Sequence, residues 1–121
     1  MFGLTTGKYK RALQKAMSDC FEPLKDELGT VPTTLHTSKY ITASMLGICE
    51  AYAQANNVTN RQKIALITDS VFEEVFRRES TSILTQVDQW LKSNDDEFIL
   101  AYEQAKTNSN KPDLDLAWLQ E

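Results

Sequence analysis

Residues 38–57, SKYITASMLGICEAYAQANN, constrain the fold most, because past Lys39 they hold a single charged residue, Glu50. The flanking segments are polar or amphipathic, so this stretch belongs at the centre of whatever the chain builds. At 100° per residue, Ile41, Met45, Ile48, Cys49 and Tyr52 share one side of a helix, the spacing of a buried stripe. The other side is made of small residues. Ala43, Gly47 and Ala51 recur every four positions. Glycine inside a helix costs about 1 kcal/mol relative to alanine, so Gly47 needs a compensating close approach. Small side chains admit a second backbone, whether or not lipid surrounds it. Two partners fit that face: another helix of the same chain, or a second copy in a homodimer. A membrane span is excluded for this stretch, since Glu50, Gln54 and several hydroxyls interrupt the roughly 20 apolar residues a span requires.

Elsewhere the apolar residues also recur at helical period. Tyr9, Leu13, Ala16, Met17, Cys20, Leu24 and Leu28 stay in phase, which predicts one helix over 8–28, kinked at Pro23 and ended by Gly29. Residues 30–37, with Pro32 and clustered threonines, read as a loop carrying the only histidine, His36. Residues 59–62, Thr-Asn-Arg-Gln, match a capping box, so a third helix runs to about Glu79. Glu73 with Arg77 and Glu74 with Arg78 stand at i, i+4 in the favourable order. After a turn or helix cap at 80–82 comes a shorter helix with Ile83, Leu84, Val87, Trp90 and Leu91 inward. Asn94, Asp95, Asp96 and Glu97 resemble a helix start, and Phe98, Ile99, Tyr102 and Ala105 continue it to about Thr107. No strand-period alternation appears. The fold class expected is all-α, a compact bundle of about five helices with a short C-terminal helical tail. The expected domain is 1–107, followed by a linker at 108–112 and a tail to residue 121.

Chemistry is sparse. One histidine and two cysteines far apart give no metal-ligand spacing, and no phosphate loop or di-metal Glu-x-x-His pattern is present. A Cys–His nucleophile pair would require Cys20 or Cys49 to reach His36. Both thiols fall on apolar stripes, the place of reduced structural cysteines rather than reactive ones. Glu50 is expected at a solvated helix edge; if buried, it needs a partner and a perturbed pKa. No enzymatic activity and no cofactor are expected.

The surfaces say more. Five basic residues against two acidic ones give residues 1–25 a surplus of three, and a net charge of −4 for the whole chain leaves −7 for the rest. An acidic chain is a poor partner for nucleic acid. Lys8, Arg11 and Lys15 share one face of the first helix, a solvated basic face or a contact for an anionic membrane surface. Residues 61–78 partly match a helix-turn-helix, with Asp69 where the turn often holds glycine. The tail places Leu114, Trp118 and Leu119 behind a polar linker, large apolar area that must dock on its own bundle, on a neighbour or on an outside partner. The N-terminus lacks a long apolar run, and Phe2 is incompatible with N-myristoylation, so the expected location is cytoplasmic. The function expected is a protein–protein interaction or regulatory module. The rival readings are DNA binding through 61–78 and an apolar small molecule held between helices.

Overall fold

The computed structural model describes residues 2–28, 30–111, 113, 114 and 116, with side chains from residue 7 onward except that of residue 33. Its elements are α1 (Phe2–Phe21), a single-turn α2 (Thr33–His36), α3 (Lys39–Ala55), α4 (Arg61–Phe76), α5 (Ser80–Lys92) and α6 (Asp96–Ser109). Five long helices pack on one core and no strand occurs among the described residues, so the chain is an all-α bundle.

Helix starts follow from local chemistry. The side chains of Ser38, Asn60 and Asp95 accept from the backbone N–H three residues on, at 3.1, 3.1 and 3.0 Å. The cap of α4 is therefore Asn60, and the capping box expected from Thr59 does not form. Two asparagines close helices. Asn57 and Asn94 have φ of 69° and 53°. After α3, Val58 N–H donates to Ala53 O at 2.8 Å and Asn57 N–H to Gln54 O at 3.0 Å. The same pair of bonds closes α5, from Asp95 and Asn94 to Trp90 and Leu91. Both are Schellman closures, with asparagine tolerating the left-handed position that glycine usually fills.

Pro23 stops the first helix instead of kinking it. α1 ends at Phe21, a 3₁₀ turn covers Glu22–Leu24, and Leu24 and Leu28 stand exposed although they keep the apolar phase. The missing N–H and the ring's clash with the carbonyl of Asp19 outweigh the pattern, because two leucines with nothing to pack on contribute little. The Asp26 carboxylate then accepts from Leu28 and Thr30 N–H, both at 2.9 Å, and turns the chain. Gly29, the expected terminator, lies outside the described residues. α2 occupies part of the expected 30–37 loop.

Two further expectations change. Residues 80–82 are the first turn of α5, not a separate turn. Glu73 and Glu74 make no ion pair with Arg77 and Arg78 among the described residues, since Arg77 leaves helical geometry at φ 58°, ψ −131°. An i, i+4 pair exists only while the helix continues.

α3 is the axis. Residues Thr42 to Cys49 are all buried, so both of its faces are covered. α1 lies along α4: Gln14 Nε2 donates to Ser70 O at 3.3 Å, and Phe21 meets Phe76 at 6.1 Å, so the two run parallel. α6 has its most extensive contact with α3, also parallel: Lys39 Nζ pairs with Asp95 at 2.8 Å at one end. Leu13, Met17, Met45, Ile48, Ile67, Phe72 and Phe98 form the deepest core.

The Lys39 bond, then the Phe98 N–H, hold the Asp95 carboxyl below its usual range. A depressed carboxylate stabilises the fold above its unfolded pKa, near pH 4, and that contribution fades as pH falls through the folded value. Asp95→Asn keeps the capping acceptor and removes the charge. The stability gap between wild type and Asp95→Asn should be open at neutral pH and close in acid. Thermal melts across that range check it; a gap that does not narrow in acid counts against the pairing.

Candidate binding cleft

The small-residue face is already taken by the chain's own α6. An ideal Cβ on Gly47 would sit 2.6 Å from Tyr102 O and 2.8 Å from Ala105 Cβ. Ala43, Gly47 and Ala51 are all buried. α6 answers with its own four-residue series, Ala101, Ala105 and Ser109, also buried. That second series is legible in the sequence and went unread, because it is short and flanked by polar residues.

The other expected surfaces fall elsewhere. Lys8, Arg11 and Lys15 are exposed on α1, and Lys15 pairs with Asp19 at 3.0 Å, an exposed i, i+4 bridge of small energetic weight. α6 runs through Asn108 to Ser109, so the boundary expected at residue 107 lies inside a helix. Beyond it, Leu114 is half-buried against the core and Leu116 is buried, both outside any helix. The tail thus docks at home over that part, and burial, then Tyr9 and the nearby Asp113, raise the Tyr52 phenol above its ordinary value. Trp118 and Leu119 lie outside the described residues. α4 passes unbroken through Asp69, so residues 61–78 lack the turn that a helix-turn-helix needs. No helix among the described residues is long and apolar enough to cross a membrane.

What remains open is a cleft of about 600 Å³ between α3, α4, α5 and α6. Leu46, Ile64, Leu84, Val87 and Leu91 give it apolar walls. Its charged residues are Glu50, Arg61, Asp69, Asp88 and Lys106. Its volume falls in the range of ligand-binding cavities, roughly 300–1,000 Å³, but half of its lining residues are polar or charged. A second depression of about 580 Å³, near Arg77 and Arg78, is mainly polar, and Glu73 and Glu74 offset its arginines.

At the cleft's inner wall the Tyr102 hydroxyl donates a hydrogen bond to Glu50 Oε1. Glu50 is half-buried with a named partner, not a freely solvated edge. Burial, then the hydrogen bond to Glu50 and its charge, push the Tyr102 phenol well above its ordinary value. Lys106 Nζ lies over the same ring, 4.9 Å from its centre. The ring is held from behind by Phe98, itself packed against Trp90. Tyr102, Lys106, Asp69 and Asp88 were not readable as neighbours of Glu50. Only the isolation of Glu50 on an apolar helix marked the place.

Cys49, next to Glu50, points the other way, into the core. Burial pushes its thiol up to about 12, Glu50 adds to that, and a hydrogen bond with Thr68 opposes it. It stays protonated at neutral pH and cannot serve as a nucleophile. His36 packs edge-on against Phe76 at 5.2 Å. Neither cysteine is in a disulfide, and Cys20 is only half-buried. A bulky thiol reagent without denaturant should therefore label Cys20 first and leave Cys49 intact; prompt modification of Cys49 would refute its burial. Among the described residues, no group of three or more His, Cys, Asp or Glu converges to hold a metal ion.

No protein-family model matches the chain, and no match emerges among curated proteins or solved structures.

Proposed function

We propose that the protein is a helical interaction module, and that the cleft between α3, α4, α5 and α6 is where it receives a segment of a partner protein. The observation that carries this reading is the cleft itself: apolar walls from α3, α4 and α5 beside charged side chains, left uncovered by every other element described. An amphipathic segment laid in such a groove buries its apolar side chains and keeps its polar face at the rim. Burying each large apolar side chain contributes about 1.5–3 kcal/mol, so two or three anchors suffice for a regulatory affinity. The mixed charges of the rim select among partners more than they add affinity.

Ala65 is the test position, being exposed on α4 and lining the cleft. Ala65→Trp fills the groove from a solvent-facing site, with a helix-propensity cost of only some tenths of a kcal/mol. Partners captured by the wild-type chain from its native cell extract should be lost with Ala65→Trp and retained with Leu100→Ala, which changes an exposed leucine outside the cleft. Capture of the same set by all three proteins would remove the cleft from the interaction. Capture of none, together with a co-purifying small molecule lost from Ala65→Trp, would replace the protein partner by a small ligand.

A further inference from the structure

We propose that the cleft recognises one basic side chain of the docking segment, an arginine or lysine, whose cation seats on the Glu50 carboxylate. This rests on the reading of the cleft as a partner-binding groove and specifies what it reads there.

The argument starts from the inventory around Glu50. A carboxylate offers about four acceptor positions. The Tyr102 hydroxyl occupies one of them on Oε1. Among the described residues no cation forms an ion pair with Glu50, although Arg61 and Lys106 line the same cleft. Lys106 is turned onto the face of the Tyr102 ring. Glu50 therefore stands half-buried on the most enclosed helix of the fold, with one neutral donor and spare acceptor capacity facing the cleft. Partial burial strengthens a charge-assisted hydrogen bond relative to water, so an incoming cation gains more here than on an open surface.

In the lining Glu50 and Asp69 stand with Arg61 and Lys106, while Asp88 is already paired with Lys92 at 2.8 Å, so the preference for a cation rests on Glu50 itself. Asp69 and Asp88 stand on α4 and α5, across the cleft from the helices that carry Glu50 and Lys106. The stem of an arginine or lysine is apolar and suits the walls formed by Leu46, Ile64 and Leu91, while its head reaches the carboxylate. An acidic side chain that reached the same position would meet the Glu50 charge directly, while Lys106 is turned onto the Tyr102 ring. Tyr102 acts as a positioning residue. Its hydroxyl holds Oε1, and its ring is fixed by Phe98, so the free acceptor positions of Glu50 keep one direction.

The test uses the full chain, labelled with nitrogen-15, and four simple probes: hexylguanidinium, hexylamine, 1-hexanol and hexanoate. Saturable shifts of the backbone amides of Glu50, Ala65 and Tyr102 report binding. The two cations should bind about tenfold more tightly than hexanol, the gain of one charge-assisted hydrogen bond, and hexanoate more weakly than hexanol. The ratio of hexylguanidinium to hexylamine distinguishes an arginine from a lysine as the residue read. Glu50→Gln keeps shape and hydrogen bonding, and should bring the cations down to the level of hexanol. Tyr102→Phe leaves the carboxylate charged but no longer held, and should reduce the preference for cations without abolishing it. Hexanol binding as tightly as the cations, or Glu50→Gln leaving their affinity unchanged, overturns the assignment to Glu50 while leaving the apolar cleft as a docking groove. Loss of the cation preference in Tyr102→Phe overturns it too. No saturable shift with any probe overturns both this inference and the reading it rests on.

Discussion

Gly47→Leu should destabilise the protein by about 3 kcal/mol, the upper end of what overpacking usually costs, despite replacing a poor helix former with a good one. The gain in propensity is about 1 kcal/mol. Against it, even a Cβ at this position would lie 2.6 Å from Tyr102 O, 2.8 Å from Ala105 Cβ and 3.2 Å from Lys106 N. Two of those three atoms are backbone, so no side-chain rotamer relieves the contact. α6 must move away from α3 as a body, and that opens the core at Ala101 and Ala105. Gly47→Ala should show the same sign with a smaller loss. Urea unfolding measures both. A Gly47→Leu chain as stable as wild type would mean that α6 does not pack where the structure has it. A second consequence concerns the cleft, because the α6 residues that meet Gly47 include Tyr102 and Lys106. Gly47→Ala, folded but with α6 displaced, should bind hexylguanidinium more weakly than wild type.

Phe98→Ala should cost more, about 3–5 kcal/mol, as expected for truncating a fully buried aromatic side chain whose cavity cannot collapse. Phe98 has no exposed surface and stands between Trp90 at 5.6 Å and Tyr102 at 6.4 Å, ring centre to ring centre. Helices α3 and α6 are held at close approach by their small residues, so neither can relax into the gap. Leu100→Ala on the same helix removes a comparable side chain that is 62 % exposed, and should change stability by no more than about 0.5 kcal/mol. Chemical denaturation of the two variants side by side checks the contrast. Equal effects would contradict the inward placement of Phe98.

Glu50 shows how far reading the residues reached. Its isolation on a twenty-residue apolar stretch was visible, and so was the alternative that it needs a partner. The partner, Tyr102, is 52 positions away. No periodicity links two residues at that separation; only the parallel docking of α6 on α3 brings them together. Pro23 teaches the converse. The apolar phase through Leu24 and Leu28 argued for continuing α1, but a phase is only as good as the surface waiting to receive it. With no element packed there, the local cost of proline decided. The pairs of Glu73 with Arg77 and Glu74 with Arg78 failed for a related reason, since their geometry presumed a helix that ends at Phe76, short of both arginines.

The amino-acid sequence by itself determined the all-α class, the number of long helices and the starts of α3 and α6. Those features depend on neighbours within a few positions: the apolar period, and caps such as Ser38 and Asp95. It also required that something approach Gly47, because a glycine in the middle of a helix is otherwise a loss. Tertiary structure alone decided what approached. It brought the Ala101, Ala105 and Ser109 face onto α3, carried the tail back so that Leu116 is buried, and left one mixed cleft beside Glu50. The physical reason is that burial of apolar area has no direction of its own. It commits each helix to the core, while steric fit between particular side chains, above all at Gly47, chooses which helix lies where and which surface stays open.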